Sequence, residues 1–484
     1  MSKYIDLSIR EDVQKKNIKT MKNKKIIFPT FAQMKHSQKV PEYIEKKICS
    51  IDTNSLDAAN LFRINWYNNL EGFESAYSNT PNYIEFPREL TGVNARIVAL
   101  IGKHFPTGSH KIGSSYSCLV PRIVTGQFNI HNDCAVWPST GNFCRGGVFN
   151  SAIIGCKSIS IMPKEMSEER FIWLREMGAN IITTPGSESN VKEIYDKVRD
   201  IQNNHKGAFV FNQFSDFFNY LWHYEVTGSA MHDLYGIIET DRSKFAGVCL
   251  ATGSSGVLGS ADYVKANFPN VKIAAAEALQ CPTLLECGFG SHRIEGVSDR
   301  HVPWIHNVRN TDMIIGIDDC DAINIFNLFN SAEGRKFLSE NIGISGKFLD
   351  QLNFLGISGV SNLLASIKFS KYYELTSDDV VVTVLTDSSE LYRSRLFALT
   401  NVEAAILFHK SLHGIKTDFI EELTYRTKKR IHNLKYYTWV EQQGFDESEL
   451  NDQWYDHDTY WGRVHGLGKK IDSEINNFNN LTLT

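Results

Sequence analysis

Arg96-Ile-Val-Ala-Leu-Ile101, followed closely by Phe105-Pro-Thr-Gly-Ser-His-Lys111-Ile-Gly-Ser-Ser115, is the stretch that decides the fold. The first segment is apolar on both faces, as a strand covered by helices on both sides must be. The Pro-, Gly- and Ser-rich turn after it reads as the junction into a helix. Glycine and small hydroxyl side chains around one lysine let a ligand approach the backbone closely. A lysine desolvated at such a junction has a lowered pKa and an amine free to form a Schiff base. By itself the same stretch also describes an ordinary helix start, capped by Ser109 with Lys111 in solvent.

Outward from this point the texture repeats. Apolar runs of strand length at 134–137, 158–162, 180–183, 208–211, 247–251, 272–276 and 380–385 alternate with amphipathic segments of helix length. Such alternation predicts an α/β fold with open parallel sheets. Pro138, Pro163 and Gly253 close strands at the ends where these sheets bind ligands. Before the core, residues 1–85 are polar and Lys-rich, with Pro29 and Pro41, and read as an extension that wraps or lids the body. Leu61, Trp66 and Leu70 recur there at helical spacing over 57–70. After the core at 86–400, residues 401–484 read as a helical, aromatic-rich extension. Its clusters, Tyr436-Tyr437 with Trp439 and Trp454-Tyr455 with Tyr460-Trp461, are expected to pack on the body.

The 484 residues carry a net charge of −4, with 42% hydrophobic and 22% charged side chains, a composition that buries a large core and excludes disorder along most of the chain. Near-neutral charge gives no footprint for nucleic acid or an anionic membrane. No apolar run reaches the roughly 18 residues of a membrane span. The Lys-rich start has no apolar stretch behind it, so a secretory signal is not expected. Nine cysteines without CxxC pairs or zinc spacing read as reduced thiols of a cytoplasmic protein, with no metal site.

Three further turns carry chemistry. Pro138-Ser-Thr-Gly-Asn-Phe143 offers small hydroxyls and an amide at a helix start, suited to a carboxylate or a phenolate-like oxygen. Ala251-Thr-Gly-Ser-Ser-Gly-Val-Leu-Gly259 offers backbone amides and a helix dipole, which hold a phosphate without a basic side chain. It is neither a Walker loop nor a GxGxxG fingerprint. In Leu385-Thr-Asp-Ser388-Ser-Glu-Leu-Tyr392, the hydroxyls either cap a helix or meet a ring nitrogen of a cofactor.

The order of these turns resembles the fold-type II pyridoxal-phosphate enzymes, the cysteine synthase and cystathionine β-synthase group, over about residues 80–399, and within it a long bacterial branch. Phe211-Asn-Gln213-Phe with Asn219 and His223-Tyr224, His292-Arg-Ile-Glu-Gly296-Val-Ser, and Gly356-Ile-Ser-Gly359 are similar to further motifs of the group. His110 before Lys111 is similar to the His-Lys pair of the tryptophan synthase β chain.

The resemblance implies a tryptophan synthase β-like fold, with two open α/β domains and pyridoxal 5′-phosphate between them. The smaller domain, roughly 116–217, is inserted in the larger. Lys111 is implied as the Schiff-base and catalytic lysine, and Asn142 as partner of the 3′-oxygen. Thr252, Gly253, Ser254, Ser255 and Gly256 are implied as the phosphate cradle, and Ser388 as partner of the pyridine nitrogen. A neutral serine there favours β-elimination and β-replacement over transamination. Ser139, Thr140, Gly141 and Gln213 are implied at the substrate carboxylate and Gly296 on its amine side, whereas Phe143 stands where the group usually has threonine.

The implied reaction is β-replacement or β-elimination on a serine- or cysteine-like amino acid through an aminoacrylate. A threonine/serine dehydratase or diaminopropionate-type ammonia-lyase is the alternative; its run of glycines does not match Thr252-Gly-Ser-Ser-Gly256. A non-catalytic cofactor-binding protein is the other, and the intact Lys111 speaks against it. The expected partners are a small amino acid and a second copy of the chain, as a homodimer.

Overall fold

All eight apolar runs are strands in the computed structural model, which describes residues 6–69, 75–186 and 191–484. In chain order the strands are β1 (Tyr83–Phe86), β2 (Arg96–Ile101), β3 (Cys134–Pro138), β4 (Lys157–Pro163), β5 (Asn180–Thr184) and β6 (Ala208–Val210). They continue as β7 (Lys244–Ala251), β8 (Lys272–Ala278), β9 (Met313–Ile317), β10 (Asp379–Leu385) and β11 (Ile420–Glu422). One sheet has the order β1-β2-β10-β7-β8-β9-β11, the other β5-β4-β3-β6. The second is wholly parallel. In the first, only the two edge pairs, β1 on β2 and β11 on β9, are antiparallel. β10 lies between β2 and β7, placing Val382 opposite both Val98 and Val248. Helices cover both faces, which is why the inner strands are apolar on both sides.

The helix Ile357–Tyr372 packs on β7 and β10 and is buried from Ile357 to Ser370. Among the described residues no single helix is long and apolar enough to cross a membrane.

The N-terminal residues are built into the core. The helix Glu11–Lys24 lies against the helices Lys111–Val124 and Leu467–Leu483. There the buried Asn17 amide donates to the carbonyls of Ile123 (3.0 Å) and Phe128 (2.8 Å). Over 57–70, only Ala58–Arg63 is helical, and it is a 3-10 helix; Leu70 lies outside the described residues. Side-chain bonds to the backbone replace the α-helical ladder: Asn60 donates to Asp52 and Ser55, Asn68 donates to Arg63, and Asn65 accepts from Tyr67.

The C-terminal residues dock by their aromatic clusters. Trp439 Nε1 donates to Val302 O at 2.9 Å, and Trp461 packs on Phe217 at 5.8 Å between ring centres. Tyr437 and Tyr455 stay exposed. The fully buried Lys435 amine donates to Trp304 O (2.9 Å), His306 O (2.7 Å) and Gln453 Oε1 (2.8 Å). The segment also contributes β11, so it is not purely helical.

Candidate active site

Lys111 opens its helix where the turn after β2 ends. Pro106–Gly108 forms a single tight turn in which Thr107, a non-glycine, takes φ +67°. Such a conformation costs about 1–3 kcal/mol and persists only where neighbours fix it. Here Asn54 Oδ1 accepts from Thr107 N (2.8 Å), and Arg145 donates to Thr107 O (2.7 Å). His110 is buried between Trp66 and His223 without a hydrogen-bond partner, and burial holds its pKa well below the usual value.

The Lys111 amine reaches a cavity and donates to Ser254 Oγ at 3.4 Å. Burial lowers its pKa to about 8. At neutral pH a far larger fraction of this amine is unprotonated than of a solvated lysine.

The turn after β3 brings Ser139, Thr140, Asn142 and Phe143 to the cavity wall, with Gly141 in the backbone between them. The Phe143 ring is almost fully buried and meets Trp137 edge-on at 5.4 Å. Gln213 lines the cavity too, and its carbonyl accepts from Asn219 Nδ2 (2.8 Å), which also donates to Ser254 Oγ (3.1 Å). That amide lies so close to Gly256 that a Cβ there would collide with it.

In the loop after β7, Thr252 spends both its amide and its hydroxyl on Ala276 O (2.8 and 3.1 Å), as part of the sheet. Beyond it, the amides of Gly253, Ser254, Ser255 and Gly256 donate to no carbonyl among the described residues. Ser255 Oγ is buried without a partner, and Gly253 and Ser254 line the cavity. An arc of unspent donors remains.

Ser388 is buried but is not among the cavity-lining residues; Ser358 and Thr386 are. Ser358 lies in the first turn of the helix Ile357–Tyr372, and Ser388 in the loop between β10 and the short helix Ser389–Arg395. Gly296 lines the opposite wall together with Ser298 and Asp299. The Asp299 carboxylate is 4% exposed; one oxygen pairs with His301 Nδ1 at 3.1 Å and the other has no partner. Asp299 directly follows the quoted His292-to-Ser298 motif, and Ser358 lies inside a quoted motif, so both were within sight of the sequence.

Arg170 had no such signal, since Glu168-Glu-Arg170 reads as a solvated helix start. It is 1% exposed and lines the cavity. It donates to Thr140 O (2.9 Å) and to Tyr392 Oη (2.7 Å), and pairs with Glu295 at 3.1 Å. Glu295, 3% exposed, also accepts from the Ser167 amide (3.2 Å) and hydroxyl (3.0 Å) and from Arg395 Nε (2.9 Å).

A family described as pyridoxal-phosphate dependent enzyme matches residues 74–335. The chain is similar to a cysteine synthase of Staphylococcus aureus, 30% identical over 54% of this chain and 76% of that one. It is similar to a probable cysteine synthase of Bacillus subtilis, 26% identical over 60% of this chain and 85% of that one. Among solved structures it is similar to a hydrogen sulfide-producing enzyme of Fusobacterium nucleatum. That match has TM-score 0.55 and 25% identity, covering 65% of this chain and 96% of that one.

Proposed function

Since the chain belongs to the pyridoxal-phosphate dependent enzymes and is of the cysteine synthase type, we propose which of its residues carry out β-elimination or β-replacement on a serine- or cysteine-like amino acid. The residues fit the cofactor. Four unspent amides, the unpartnered Ser255 hydroxyl and the close approach at Gly256 suit a phosphate. A desolvated amine stands 3.4 Å from the same loop. That juxtaposition carries the reading.

Lys111 would hold the cofactor and, once released, take the proton from the substrate Cα. Bound, the cofactor supplies the electron sink for the charge left at that carbon. Gly253, Ser254, Ser255 and Gly256 would hold the phosphate, with Thr252 set aside because its donors serve the sheet. Asn142 would face the 3′-oxygen. Ser358, in place of Ser388, would meet the ring nitrogen because it is the serine that lines the cavity. Ser139, Thr140, the backbone at Gly141 and Gln213 would grip the carboxylate, with Phe143 an apolar wall. Gly296, Ser298 and Asp299 would face the β-substituent.

We also propose that 116–217 forms a smaller domain around the sheet of β3 to β6, and that the chain works as a cytoplasmic homodimer; the separate sheet supports the first. The test of the reaction is a panel of serine, O-acetylserine, O-phosphoserine, cysteine, threonine and diaminopropionate, with and without sulfide, followed by cofactor absorbance. Turnover of O-acetylserine or cysteine is expected. Ammonia release from threonine or diaminopropionate alone would overturn the choice of reaction.

A further inference from the structure

Asn142 is held from two sides by residues of opposite hydrogen-bonding character. Its Nδ2 donates to Asp387 Oδ2 at 2.6 Å, and its Oδ1 accepts from Arg145 at 3.1 Å. A guanidinium only donates, and an ionised carboxylate only accepts. An asparagine amide between such partners has a single satisfactory orientation, whereas one between hydroxyls or waters has two. The second N–H of Nδ2 is left for the cavity that Asn142 lines.

Neither flanking residue is free to move. The Asp387 carboxylate is fully buried and accepts from Tyr392 Oη at 2.6 Å, with Arg170 at 3.8 Å. Its other oxygen has no hydrogen-bond partner and abuts Gly356, where a Cβ would collide with it. The Arg145 guanidinium is 1% exposed, lies over the Trp173 ring at 4.6 Å, and donates to Thr107 O at 2.7 Å. Burying two guanidinium groups and two carboxylates this way costs solvation that packing alone would not require.

We infer that Asp387 and Arg145 are positioning residues that lock the Asn142 amide with its nitrogen toward the cofactor's 3′-oxygen, and that Asp387 acts on the cofactor through that amide. The inference rests on the proposed role of Asn142. A locked N–H stabilises the anionic form of the 3′-oxygen. A flipped amide would present its carbonyl oxygen and favour the protonated form. Bound pyridoxal phosphate reports which form is present through two absorbance bands, one at longer and one at shorter wavelength.

Asp387→Asn keeps the shape but allows the Asn142 amide to turn over. The holoenzyme of this variant is expected to shift toward the short-wavelength band and to bind pyridoxal phosphate about tenfold more weakly. Asn142→Ala alone should shift the bands the same way. In the Asn142→Ala background, Asp387→Asn should add nothing, because two residues acting through one contact are not additive. Should Asp387→Asn not fold, Arg145→Met gives the same reading: a shift of the same sign, abolished by Asn142→Ala. An unchanged band ratio and affinity in the folded variant, or full additivity with Asn142→Ala, would overturn the inference. If the wild-type chain binds no pyridoxal phosphate at all, it is the assignment of the cofactor site that has failed.

Discussion

Replacing Glu295 by glutamine removes one charge from the centre of a buried cluster and leaves its shape intact. Glu295 faces Arg170 at 3.1 Å, with side-chain exposures of 3% and 1%, so the pair is shielded from water. Removing one partner of such a pair costs about 3–5 kcal/mol, because the other charge is left buried. Two features reduce this. A glutamine carbonyl still accepts one or two of the four bonds, and Asp387 at 3.8 Å remains as a second counter-charge for Arg170. Arg395, 38% exposed, adds no more than a surface pair, under about 1 kcal/mol. The expected loss is therefore about 2–4 kcal/mol. Urea unfolding followed by tryptophan fluorescence, with circular dichroism as a second probe of two-state behaviour, measures it. The double variant Arg170→Met/Glu295→Leu removes both charges and should lose at least about 2 kcal/mol less than the two single losses added together. A Glu295→Gln cost under about 1 kcal/mol, or strict additivity in the double variant, would refute the account of the cluster.

Borohydride reduction of the holoenzyme should fix the cofactor on Lys111, and peptide mapping that found it on Lys103 would exclude the assignment. With the Lys111 pKa lowered to about 8, attachment of pyridoxal phosphate to the apoprotein should slow below that pH as the amine is protonated, and level off above it; a rate still rising through pH 10 would contradict this. Ser358→Ala should alter the cofactor's absorbance while Ser388→Ala should not, and the reverse result would restore the serine that the sequence favoured. Phe143→Thr should cost about 2–4 kcal/mol of stability through the lost ring and lower KM for O-acetylserine with turnover retained; unchanged kinetics on every substrate would put the ring outside the pocket. Truncation after Asn401 strips Trp461 from Phe217 and β11 from β9, and should give aggregated or cofactor-poor protein in light scattering and absorbance; a soluble, fully active product would show that docking is dispensable.

The sequence made strands legible as apolar runs: burial on both faces forces such runs in inner strands such as β7, β8 and β10, while the half-exposed edge strands β5 and β6 show only short ones. Two of the three strands it hid are edges of the main sheet. β1 has four residues with one exposed, and β11 has three residues, two of them glutamates. The third, β9, Met313-Ile-Ile-Gly-Ile317, is an inner strand and fully buried, with a glycine interrupting its apolar run. The four turns of the site were visible because strand ends and small residues mark them. What stayed hidden was reach. Nothing in Gly356-Ile-Ser-Gly359 or Leu385-Thr-Asp-Ser388 says which serine faces the cavity; one sits in a helix start and the other in the loop after β10, and only the packed fold sets them against it. Arg145 and Arg170 were invisible because a charged residue on a helix is most often solvated, and burial shows only once both sheets are assembled. The polar composition of the N-terminal residues does not show which of their side chains are buried; Asn17, which ties the first helix to the body, is one of them.

The place of β10 in the main sheet has a consequence for how the chain is made. β10 pairs with both β2 and β7, yet β2 ends at residue 101 and β10 at residue 385. A ribosome adding about 5–20 residues per second needs roughly 15–60 s to cover that interval. Throughout it, β2 has only the short β1 beside it, and β7, once made, has β8 on one side and no strand on the other. Both present unpaired backbone and apolar faces to solvent, the condition under which nascent chains stick to one another. The seam of the catalytic body is thus sewn nearly last, and yield of the full-length protein should rise when translation is coupled to a holdase chaperone or slowed by low temperature.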